Sequence, residues 1–296
     1  MRILLLGLTS NIGFKFYLNF FKEFDIYATY RSLPKIITNN KKLIRVESLS
    51  KTFLKDVINK IEPDIIINTI AEGNIDKCEQ NYNSCKLLNV ILVENLVEIL
   101  KNKNIKLIHF SSNSIYNGEN SPYSENSTPL PVNNYGKSKL KADRIIIKNL
   151  KNYLLLRPIT IIGSSEIFQR LNPATFIIDK LNNNNNIKLV NDDIVNFLYI
   201  DDLIDIMYQL IKKDIIGEFN ISGNEILNRY ELGELIMRNM NTSATILECS
   251  SKEFKSFASR AKNTSFDNSK IKNILNFNFT HVDTAIKKIL IQKEGL

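Results

Sequence analysis

The pattern that most constrains the fold of this chain is a strand, a glycine-containing loop and a helix at its start. Ile3-Leu4-Leu5-Leu6 is a continuous apolar run, which is typical of a strand buried on both faces of a parallel sheet. The loop Gly7-Leu8-Thr9-Ser10-Asn11-Ile12-Gly13 follows, and then an apolar helix-like segment, Phe14 to Phe21. Glycines after a first strand let the backbone turn tightly and approach a pyrophosphate. A dinucleotide-binding loop is predicted here, with a plain tight turn as the alternative, and its expected contacts are Gly7, Ser10, Asn11, Ile12 and Gly13.

Strand-like and helix-like segments alternate through the first half of the chain. Further strands are predicted at Ile26 to Tyr30, Leu43 to Val46, Asp64 to Ile70, Ile105 to Phe110 and Tyr153 to Leu156. A helix is predicted from Phe53 to Ile61, and one face of a longer helix is marked by Leu88, Leu92, Leu96 and Ile99. This alternation predicts an α/β fold with a Rossmann-type doubly wound parallel sheet.

The alternation loosens after Gly163, which predicts two parts of unequal size. Residues 1–160 are expected to form a dinucleotide-binding Rossmann domain, to which the segment 195–215 returns. Residues 161–296 are expected to form mainly a smaller C-terminal substrate-binding lobe, which includes Glu218 to Ile221. Asp201 and Asp202 are expected to cap a helix running to Ile211, because an aspartate accepts hydrogen bonds from the free amides at a helix start.

Composition argues against several classes of protein. The net charge is +8, but the lysines are spread along the chain without a basic stripe interleaved with aromatics, so no nucleic-acid partner is expected. The apolar runs fall far short of the roughly 20 residues of a membrane span, and no signal-peptide cleavage region follows the start, so a cytoplasmic location is expected. The three cysteines and two histidines lack metal-ligand spacing, so no metal is expected. Cys78 and Cys85 are expected on one helix.

Tyr135 and Lys139 lie four residues apart at the start of an amphipathic segment. On a helix, this spacing places the phenol and the ammonium on one face, one turn apart. A nearby cation favours phenolate over phenol, and moving a tyrosine pKa from about 10 to near 7 requires roughly 4 kcal/mol. Tyr135 is therefore a candidate proton donor or acceptor at neutral pH. A solvated helix face is the alternative, since such pairs also arise by chance.

Polar residues follow the fifth predicted strand, and ligands of parallel sheets bind at the carboxyl ends of strands. Ser111-Ser112-Asn113-Ser114 comes directly after Phe110. A hydroxyl at this place could hydrogen-bond a substrate carbonyl and share a proton with Tyr135. An ordinary serine-containing loop is the alternative.

Arg31 follows the second predicted strand. An acidic residue there would bind the adenosine ribose hydroxyls, whereas an arginine suits a 2′-phosphate. NADP, as NADPH, is therefore the preferred cofactor, with NAD as the second option. A solvated arginine at a strand end is the alternative.

Taken in order, these segments resemble the extended short-chain dehydrogenase/reductase superfamily, and within it the dTDP-4-dehydrorhamnose reductase group. The resemblance covers nearly the whole chain. Besides the glycine loop and the Tyr135 segment, its motifs are Asn68-Thr69-Ile70-Ala71, Ile75-Asp76-Lys77-Cys78-Glu79, Ser111-Ser112-Asn113, Arg157-Pro158, Tyr199-Ile200-Asp201-Asp202-Leu203, Arg260-Ala261-Lys262-Asn263-Thr264 and Asp267-Asn268-Ser269-Lys270.

The resemblance implies a catalytic set of Ser112, Tyr135 and Lys139. In that set the tyrosine supplies a proton to the alkoxide formed by hydride transfer, and the serine polarises the sugar carbonyl. The lysine binds the nicotinamide ribose and keeps the tyrosine acidic. The other implied contacts are Ala71 and Pro158 for the cofactor, and Asn113 and Ser114 for the substrate. A nucleotide-sugar substrate and a homodimer are implied as well.

Five positions depart from the usual pattern of that group. Ser10 stands where a glycine is usual, and Glu72 where an uncharged residue is usual. Asn113 stands where an aspartate is typical, and Ala261 replaces a common proline. Glu47 or Ser48 lies where an aspartate often meets the adenine.

Three functions stay open. The preferred one is an NADPH-dependent reductase of a nucleotide-linked 4-keto-6-deoxysugar, acting in the synthesis of cell-surface polysaccharide precursors. A sugar-nucleotide epimerase with tightly held NAD(P) would use the same catalytic set. A non-catalytic NADP-binding regulatory subunit is the third, since the group includes such a partner of methionine adenosyltransferase. A dehydratase is disfavoured, because Asn113-Ser114 supplies no carboxylic acid where those relatives carry an acidic pair.

Overall fold

The computed structural model describes residues 1–32 and 40–294. The strands are β1 Arg2–Leu6, β2 Asp25–Tyr30, β3 Leu43–Arg45, β4 Ile65–Asn68, β5 Lys106–Phe110, β6 Tyr153–Pro158, β7 Ile161–Ile162, β8 Ile187–Val190, β9 Val195–Asn196, β10 Leu198–Tyr199, β11 Gly217–Ile221, β12 Ile226–Leu227 and β13 Ile246–Cys249.

The helices follow the same alternation. They are α1 Asn11–Phe20, α2 Lys51–Ile61, α3 Ile75–Gln80, α4 Tyr82–Lys86, α5 Leu92–Leu100, α6 Asn134–Asn149, α7 Pro173–Asn182, α8 Ile200–Lys212, α9 Arg229–Arg238, α10 Ser269–Leu275 and α11 Val282–Glu294. A π-helical turn, Leu87–Ile91, joins α4 to α5, and short 3₁₀ turns lie at Asn113–Ile115 and Ser251–Glu253. No helix in the described ranges is long and apolar enough to cross a membrane.

Seven parallel strands form the central sheet in the order β11-β6-β5-β4-β1-β2-β3. β1 lies between β2 and β4, so the direction in which strands are added reverses beside it. Ligands of open parallel sheets bind outside the carboxyl ends of the strands at such a switch point. The predicted α/β fold with a Rossmann-type doubly wound sheet is confirmed. Its switch point coincides with the glycine loop after β1.

Helices cover both faces of the sheet, which explains the uninterrupted apolar run of β1. Leu4 and Leu6 pack in a core with residues of α2, α5 and α6, whereas Ile3 and Leu5 pack in a core with residues of α1 and α8. Successive strand residues point to opposite faces, and all four of these side chains are fully buried. A strand with one face in water would instead have alternated apolar and polar residues.

The structure corrects the placement of the segment Glu218 to Ile221. This segment lies in β11, which pairs with β6 at the edge of the central sheet, with Ile221 opposite Pro158. It therefore belongs to the sheet and not to the smaller lobe, where we expected it. The partner of a strand is decided by the packing of the whole chain and not by its local sequence, which is why we placed this segment wrongly.

The expected aspartate cap of α8 is also wrong. The helix begins after Tyr199, and no side chain caps its first amides. The Asp202 carboxylate accepts hydrogen bonds from the Thr280 amide at 2.8 Å and the Thr280 hydroxyl at 2.7 Å, which ties α8 to the segment before α11. Asp201 forms an ion pair with Lys15 of α1 at 2.8 Å. Both carboxylates therefore serve long-range contacts that a local capping rule does not anticipate.

Cys78 and Cys85 lie on two helices and not on one. Asn81 separates α3 from α4, and its side chain accepts a hydrogen bond from the Ser84 amide at the start of α4. The turn at Asn81 brings the two sulfur atoms together, and they form a disulfide. An i, i+7 spacing would place both sulfurs on one face of a straight helix, two turns apart, so the break between α3 and α4 is what permits the bond.

Outside the central sheet, the second half of the chain forms three short strand pairs: β7 with β10, β8 with β13 and β9 with β12. The helices α7 and α9 pack against each other and against β8. Gly233 of α9 faces Leu189 of β8 so closely that an added Cβ would lie 2.3 Å from its side chain. This part of the chain contributes residues to the site described below.

Candidate active site

A cleft of about 910 Å³ runs across the carboxyl ends of β1, β2 and β4. We call it the larger cleft. Of the predicted cofactor contacts, Gly7, Ser10, Arg31 and Ala71 line it, and Glu47 and Ser48 line its far side. The strand order therefore gathers residues from three separate predicted loops around one elongated space.

Glycine is required in the loop after β1 because the backbone is crowded there. Gly7 has a φ of 94°, and a Cβ at this position would lie 2.7 Å from the Thr69 hydroxyl oxygen. A Cβ on Gly13 would lie 2.5 Å from the Gly7 carbonyl oxygen. The loop backbone therefore forms the wall of the larger cleft directly, which suits a ligand that approaches backbone amides.

Ser10 is accommodated in the loop as the N-cap of α1. Its hydroxyl accepts a hydrogen bond from the Gly13 amide at 2.9 Å and lies 2.9 Å from the Gly7 carbonyl oxygen. Gly13 lies behind the loop, and the Asn11 side chain donates to the Arg170 carbonyl at 3.4 Å. Of the predicted loop contacts, Asn11 and Gly13 thus line neither space described here.

A second space of about 380 Å³, which we call the smaller cavity, contains the predicted catalytic set. The smaller cavity adjoins the larger cleft, because Thr69, Ile70 and Ala71 line both spaces. The predicted site residues that line it are Ile12, Ala71, Ser112, Asn113, Ser114, Tyr135, Lys139 and Pro158. The fold thus brings together residues from α1, β6, α6 and the loops after β4 and β5.

Tyr135 and Lys139 lie in the first turns of α6, where the predicted spacing is realised. Asn133 caps the helix by accepting a hydrogen bond from the Gly136 amide at 2.8 Å. Tyr135 is half-buried, whereas Lys139 is 2% exposed. Ser112 is buried as well, and its hydroxyl accepts a hydrogen bond from the Ser114 amide at 3.1 Å.

Gly136 of α6 lies very close to the backbone of the loop after β5. A Cβ at this position would lie 2.0 Å from the Ser114 carbonyl oxygen. We expect Gly136→Ala to lower the free energy of unfolding by about 1–3 kcal/mol, because overpacking outweighs the roughly 0.5–1 kcal/mol that alanine gains over glycine within a helix. Urea denaturation measures the loss. Gly73→Ala is the matched control, since nothing lies within 4 Å of its Cβ position; equal stability of the two variants would contradict the close contact.

Burial is the largest influence on the pKa of Tyr135. Burial raises the pKa of Tyr135, although a hydrogen bond from the Ser112 hydroxyl and the charge of Arg170 act to lower it. Desolvation of the phenolate outweighs the influence of neighbouring cations. Tyr135 therefore carries its proton at neutral pH, which suits a proton donor and not an acceptor.

Burial also shifts the pKa of Lys139. It lowers the pKa of Lys139 from its usual range to about 8, while the charge of Asp143 acts to raise it. His109 of β5 faces the same region, and its pKa lies well below the usual value because of burial and the charge of Lys139. Lys139 is thus mostly an ammonium at pH 7 beside a neutral imidazole.

Asp143 belongs to a buried charge network that the sequence analysis missed. It is fully buried, accepts a hydrogen bond from the Ser111 hydroxyl at 2.8 Å, and pairs with Arg157 at 3.2 Å. Arg157 pairs in turn with Glu218 of β11. Asp143 lies one helical turn after Lys139, so the i, i+4 spacing could have indicated it, whereas its partners on β6 and β11 come together only in the fold.

We expect Asp143→Asn to move the pH dependence of activity toward lower pH. Lysine is charged below its pKa, so an activity that needs the Lys139 ammonium falls above about pH 8. Asp143 acts to raise that pKa, so its removal lowers the pH at which activity falls. The pH profile of kcat/KM measures the shift. Asp205→Asn, at an exposed position on α8, is the control, and an unchanged profile for Asp143→Asn would count against the coupling.

Residues after β13 close the smaller cavity. The Asn113 amide donates to the Thr264 hydroxyl at 2.7 Å, and Ala261 and Thr264 line the cavity. Two arginines on the same side are paired with carboxylates, Arg229 with Asp193 at 2.8 Å and Arg260 with Asp76 at 2.7 Å. Their side chains are partly exposed, so a ligand could reach them.

Glu72 does not line either space. Its carboxylate pairs with Lys77 and accepts a hydrogen bond from the Asn74 amide at 3.0 Å. Although burial opposes the shift, these contacts lower the pKa of Glu72. The unusual carboxylate is therefore ionised and turned toward the start of α3.

Comparison with known proteins matches residues 1–294 to the family model described as the RmlD substrate binding domain. The chain is 30% identical over 190 residues to methionine adenosyltransferase 2 subunit beta of Xenopus laevis, a match covering 62% of this chain and 57% of that protein, less than two thirds of its length. It is 28% identical over 167 residues to dTDP-4-dehydrorhamnose reductase of Salmonella typhimurium, covering 53% and 50% respectively.

Among solved structures, dTDP-4-dehydrorhamnose reductase from Bacillus anthracis, in complex with NADP, superimposes with a TM-score of 0.87 at 21% identity. The superposition covers 98% of this chain and 99% of that one, which shows the same fold. The family match extends over nearly the entire sequence, in agreement with the resemblance found in its motifs. The chain belongs to the RmlD substrate-binding-domain family.

Proposed function

We propose that this protein is an NADPH-dependent reductase of a nucleotide-linked 4-keto-6-deoxysugar. One observation carries the proposal: Ser112, Tyr135 and Lys139 line a single cavity, and that cavity opens through Thr69, Ile70 and Ala71 into a cleft walled by the glycine loop. A donor of hydride lying along the larger cleft would therefore end beside the catalytic set. The proposal places the enzyme in the cytoplasm as a homodimer.

The residues of the larger cleft fit a phosphorylated dinucleotide. Gly7 lines the larger cleft without a side chain, which leaves room there for a pyrophosphate beside the loop backbone. Arg31, at the end of β2, would hold the 2′-phosphate, which favours NADP over NAD. Lys139 and Pro158 would hold the nicotinamide end. When bound, NADPH supplies the hydride.

The residues of the smaller cavity would handle the proton. The raised pKa of Tyr135, caused by burial, keeps a proton on the phenol oxygen at neutral pH, ready for transfer to a sugar oxygen. The Ser112 hydroxyl would donate a hydrogen bond to the same sugar oxygen. The Lys139 ammonium would stabilise the tyrosinate that remains, because its charge lies in a buried, low-dielectric site.

The opposite wall of the cavity would bind the nucleotide sugar. Asn113 and Ser114 would contact the sugar ring. The partly exposed guanidinium groups of Arg229 and Arg260 would face its diphosphate, since a planar guanidinium matches phosphate geometry. The neutral Asn113 would accept substrates that an aspartate at this position repels.

A second candidate is a cofactor-binding subunit of another enzyme, because several relatives of this chain are methionine adenosyltransferase 2 beta subunits. The cavity favours turnover instead, because its tyrosine, lysine and serine all line one space of about 380 Å³. A subunit that only binds a cofactor does not need Tyr135 beside an open substrate space.

A stoichiometric assay tests the proposal against both alternatives. The purified protein is incubated with dTDP-4-keto-6-deoxysugars and NADPH, and cofactor oxidation and sugar products are measured together. A reductase consumes one NADPH for each alcohol formed. Epimerised product without net NADPH consumption would assign an epimerase, whereas NADPH binding without any product from a panel of nucleotide sugars would favour the subunit reading.

A further inference from the structure

A segment of the second half of the chain, residues 164–172, lies across the glycine loop. The Gln169 amide donates to the Ser10 carbonyl at 3.2 Å, and the Asn11 amide donates to the Arg170 carbonyl at 3.4 Å. The rings of Phe168 and Phe14 meet edge to face at 5.3 Å. These contacts fix residues 168–170 beside the start of α1.

The segment is also held from its own side. Asn172 caps α7, and its amide donates to the Gly163 carbonyl at 2.7 Å and to the Ser165 hydroxyl at 3.0 Å. The Gln169 side chain accepts a hydrogen bond from the Glu166 amide at 3.0 Å. None of these bonds uses the Arg170 side chain, so the position of the segment does not depend on that guanidinium.

The Arg170 side chain lines the larger cleft together with Gly7, Ser10 and Thr69. The described residues offer it no carboxylate within ion-pair distance, whereas Arg157, Arg229 and Arg260 each have one. Its charge acts to lower the pKa of both Tyr135 and Glu72, against the larger effect of burial at each. The guanidinium therefore lies in the larger cleft beside the glycine loop, and its charge is felt at Tyr135.

The glycine loop itself offers few donors to an anion. The Gly13 amide already donates to the Ser10 hydroxyl, and the Phe14 amide donates to the Ser10 carbonyl at 2.9 Å. Within the described residues, the backbone amides of Thr9, Asn11 and Ile12 have no acceptor, and of these three residues Thr9 lines the larger cleft. An unpaired guanidinium beside the start of α1, in a cleft that Gly7, Thr9 and Ser10 also line, suits a negatively charged phosphate group.

We propose that Arg170 binds the pyrophosphate of the dinucleotide, so that the segment 164–172 completes the cofactor site from outside the first half of the chain. This inference rests on the proposed function, since it takes the larger cleft as the dinucleotide site. Arg31 lies at the end of β2, on the other side of β1 from the loop after β4. The two arginines therefore serve different groups, Arg31 the 2′-phosphate and Arg170 the pyrophosphate that NADPH and NADH share.

Calorimetric titration of the full chain with NADPH and with NADH separates these roles. We expect Arg170→Gln to weaken binding of both nucleotides by about 10- to 100-fold, the usual effect of losing a charge-assisted hydrogen bond. Arg31→Gln, the matched control, should weaken NADPH binding and leave NADH binding unchanged. Arg170→Lys should recover part of the affinity, because it restores the charge without the planar geometry. An unchanged thermal unfolding midpoint shows that the segment remains docked.

Each other outcome overturns the inference in a recognisable way. Equal affinity of Arg170→Gln and the unaltered protein for both nucleotides makes Arg170 a solvated surface residue. A loss confined to NADPH assigns Arg170 to the 2′-phosphate instead. If the unaltered protein binds neither nucleotide, both this inference and the proposed function fail. A defect of the Arg170 variants alone leaves the proposed function intact, so the two failures are distinguishable.

Discussion

Tyr135→Phe is expected to lower kcat for reduction of the keto-sugar nucleotide by about 10²- to 10⁴-fold, the usual contribution of a positioned proton donor. The phenol oxygen is the only part of the residue removed, and the raised pKa of Tyr135, caused by burial, shows that it carries its proton at neutral pH. The half-buried ring stays in place, so the cavity keeps its shape. Stopped-flow measurement of NADPH oxidation gives the rate.

The control for this prediction is the affinity for NADPH, which should change little because the larger cleft is untouched. Thermal unfolding should also change little, since the lost hydroxyl makes one side-chain hydrogen bond, with Ser112. If Tyr135→Phe oxidises NADPH at the unaltered rate with every keto-sugar nucleotide, Tyr135 is not the proton donor. The preferred function would then give way to the cofactor-binding subunit.

Arg157→Met is expected to lower the free energy of unfolding by about 3–5 kcal/mol, the cost of leaving a buried charge without its partner. Arg157 is 3% exposed and Asp143 is 0% exposed, and the second carboxylate oxygen of Asp143 has no hydrogen-bond partner in the described residues. Removal of the guanidinium leaves only the Ser111 hydroxyl to stabilise that carboxylate directly. Urea denaturation at pH 7 measures the loss.

Arg229→Met is the matched control, because the Arg229–Asp193 pair is partly exposed and such pairs contribute only about 0–1 kcal/mol. The double variant Asp143→Asn/Arg157→Met should recover part of the loss, since the fully buried carboxylate of Asp143 is then replaced by a neutral amide. If Arg157→Met and Arg229→Met lose the same small amount, the buried network contributes no more than a surface pair.

The loss in Arg157→Met should shrink at acidic pH. Burial raises the pKa of Asp143, while Arg157 acts to lower it, so removing Arg157 moves that pKa further up. The folded state then binds a proton at a pH where the unfolded state does not, and stability rises relative to the unaltered protein as pH falls through the folded pKa. Denaturation at a series of pH values checks the sign.

Sequence reasoning could identify much of this site because its main features are local. The Tyr135–Lys139 spacing, the glycine loop and the serines after Phe110 each depend on a few consecutive residues in one element. The parallel sheet then brings the ends of those elements to one edge whatever the details of packing. The order of the motifs along the chain then indicated the family to which these elements belong.

Residues that act across long separations were missed or misplaced. Arg170 reaches the cleft from a segment with no recognisable pattern, about 160 residues after the loop it faces. Asp202 bonds Thr280 instead of capping its own helix. Burial raises the pKa of Tyr135 against the charge of Arg170, and no spacing rule measures burial.

By itself, the sequence determined the strands of the first half, the helices α1 and α2, the fold class, and the identity of the residues at the ends of the central strands. Those features follow from periodicity and from local backbone requirements, such as the positive φ at Gly7. Only the tertiary structure decided that β11 joins β6, that Asp143 is buried against Arg157, and that Arg170 enters the cleft. Strand partners, burial and charge pairing depend on the free energy of the whole packed chain, which no short stretch of residues contains.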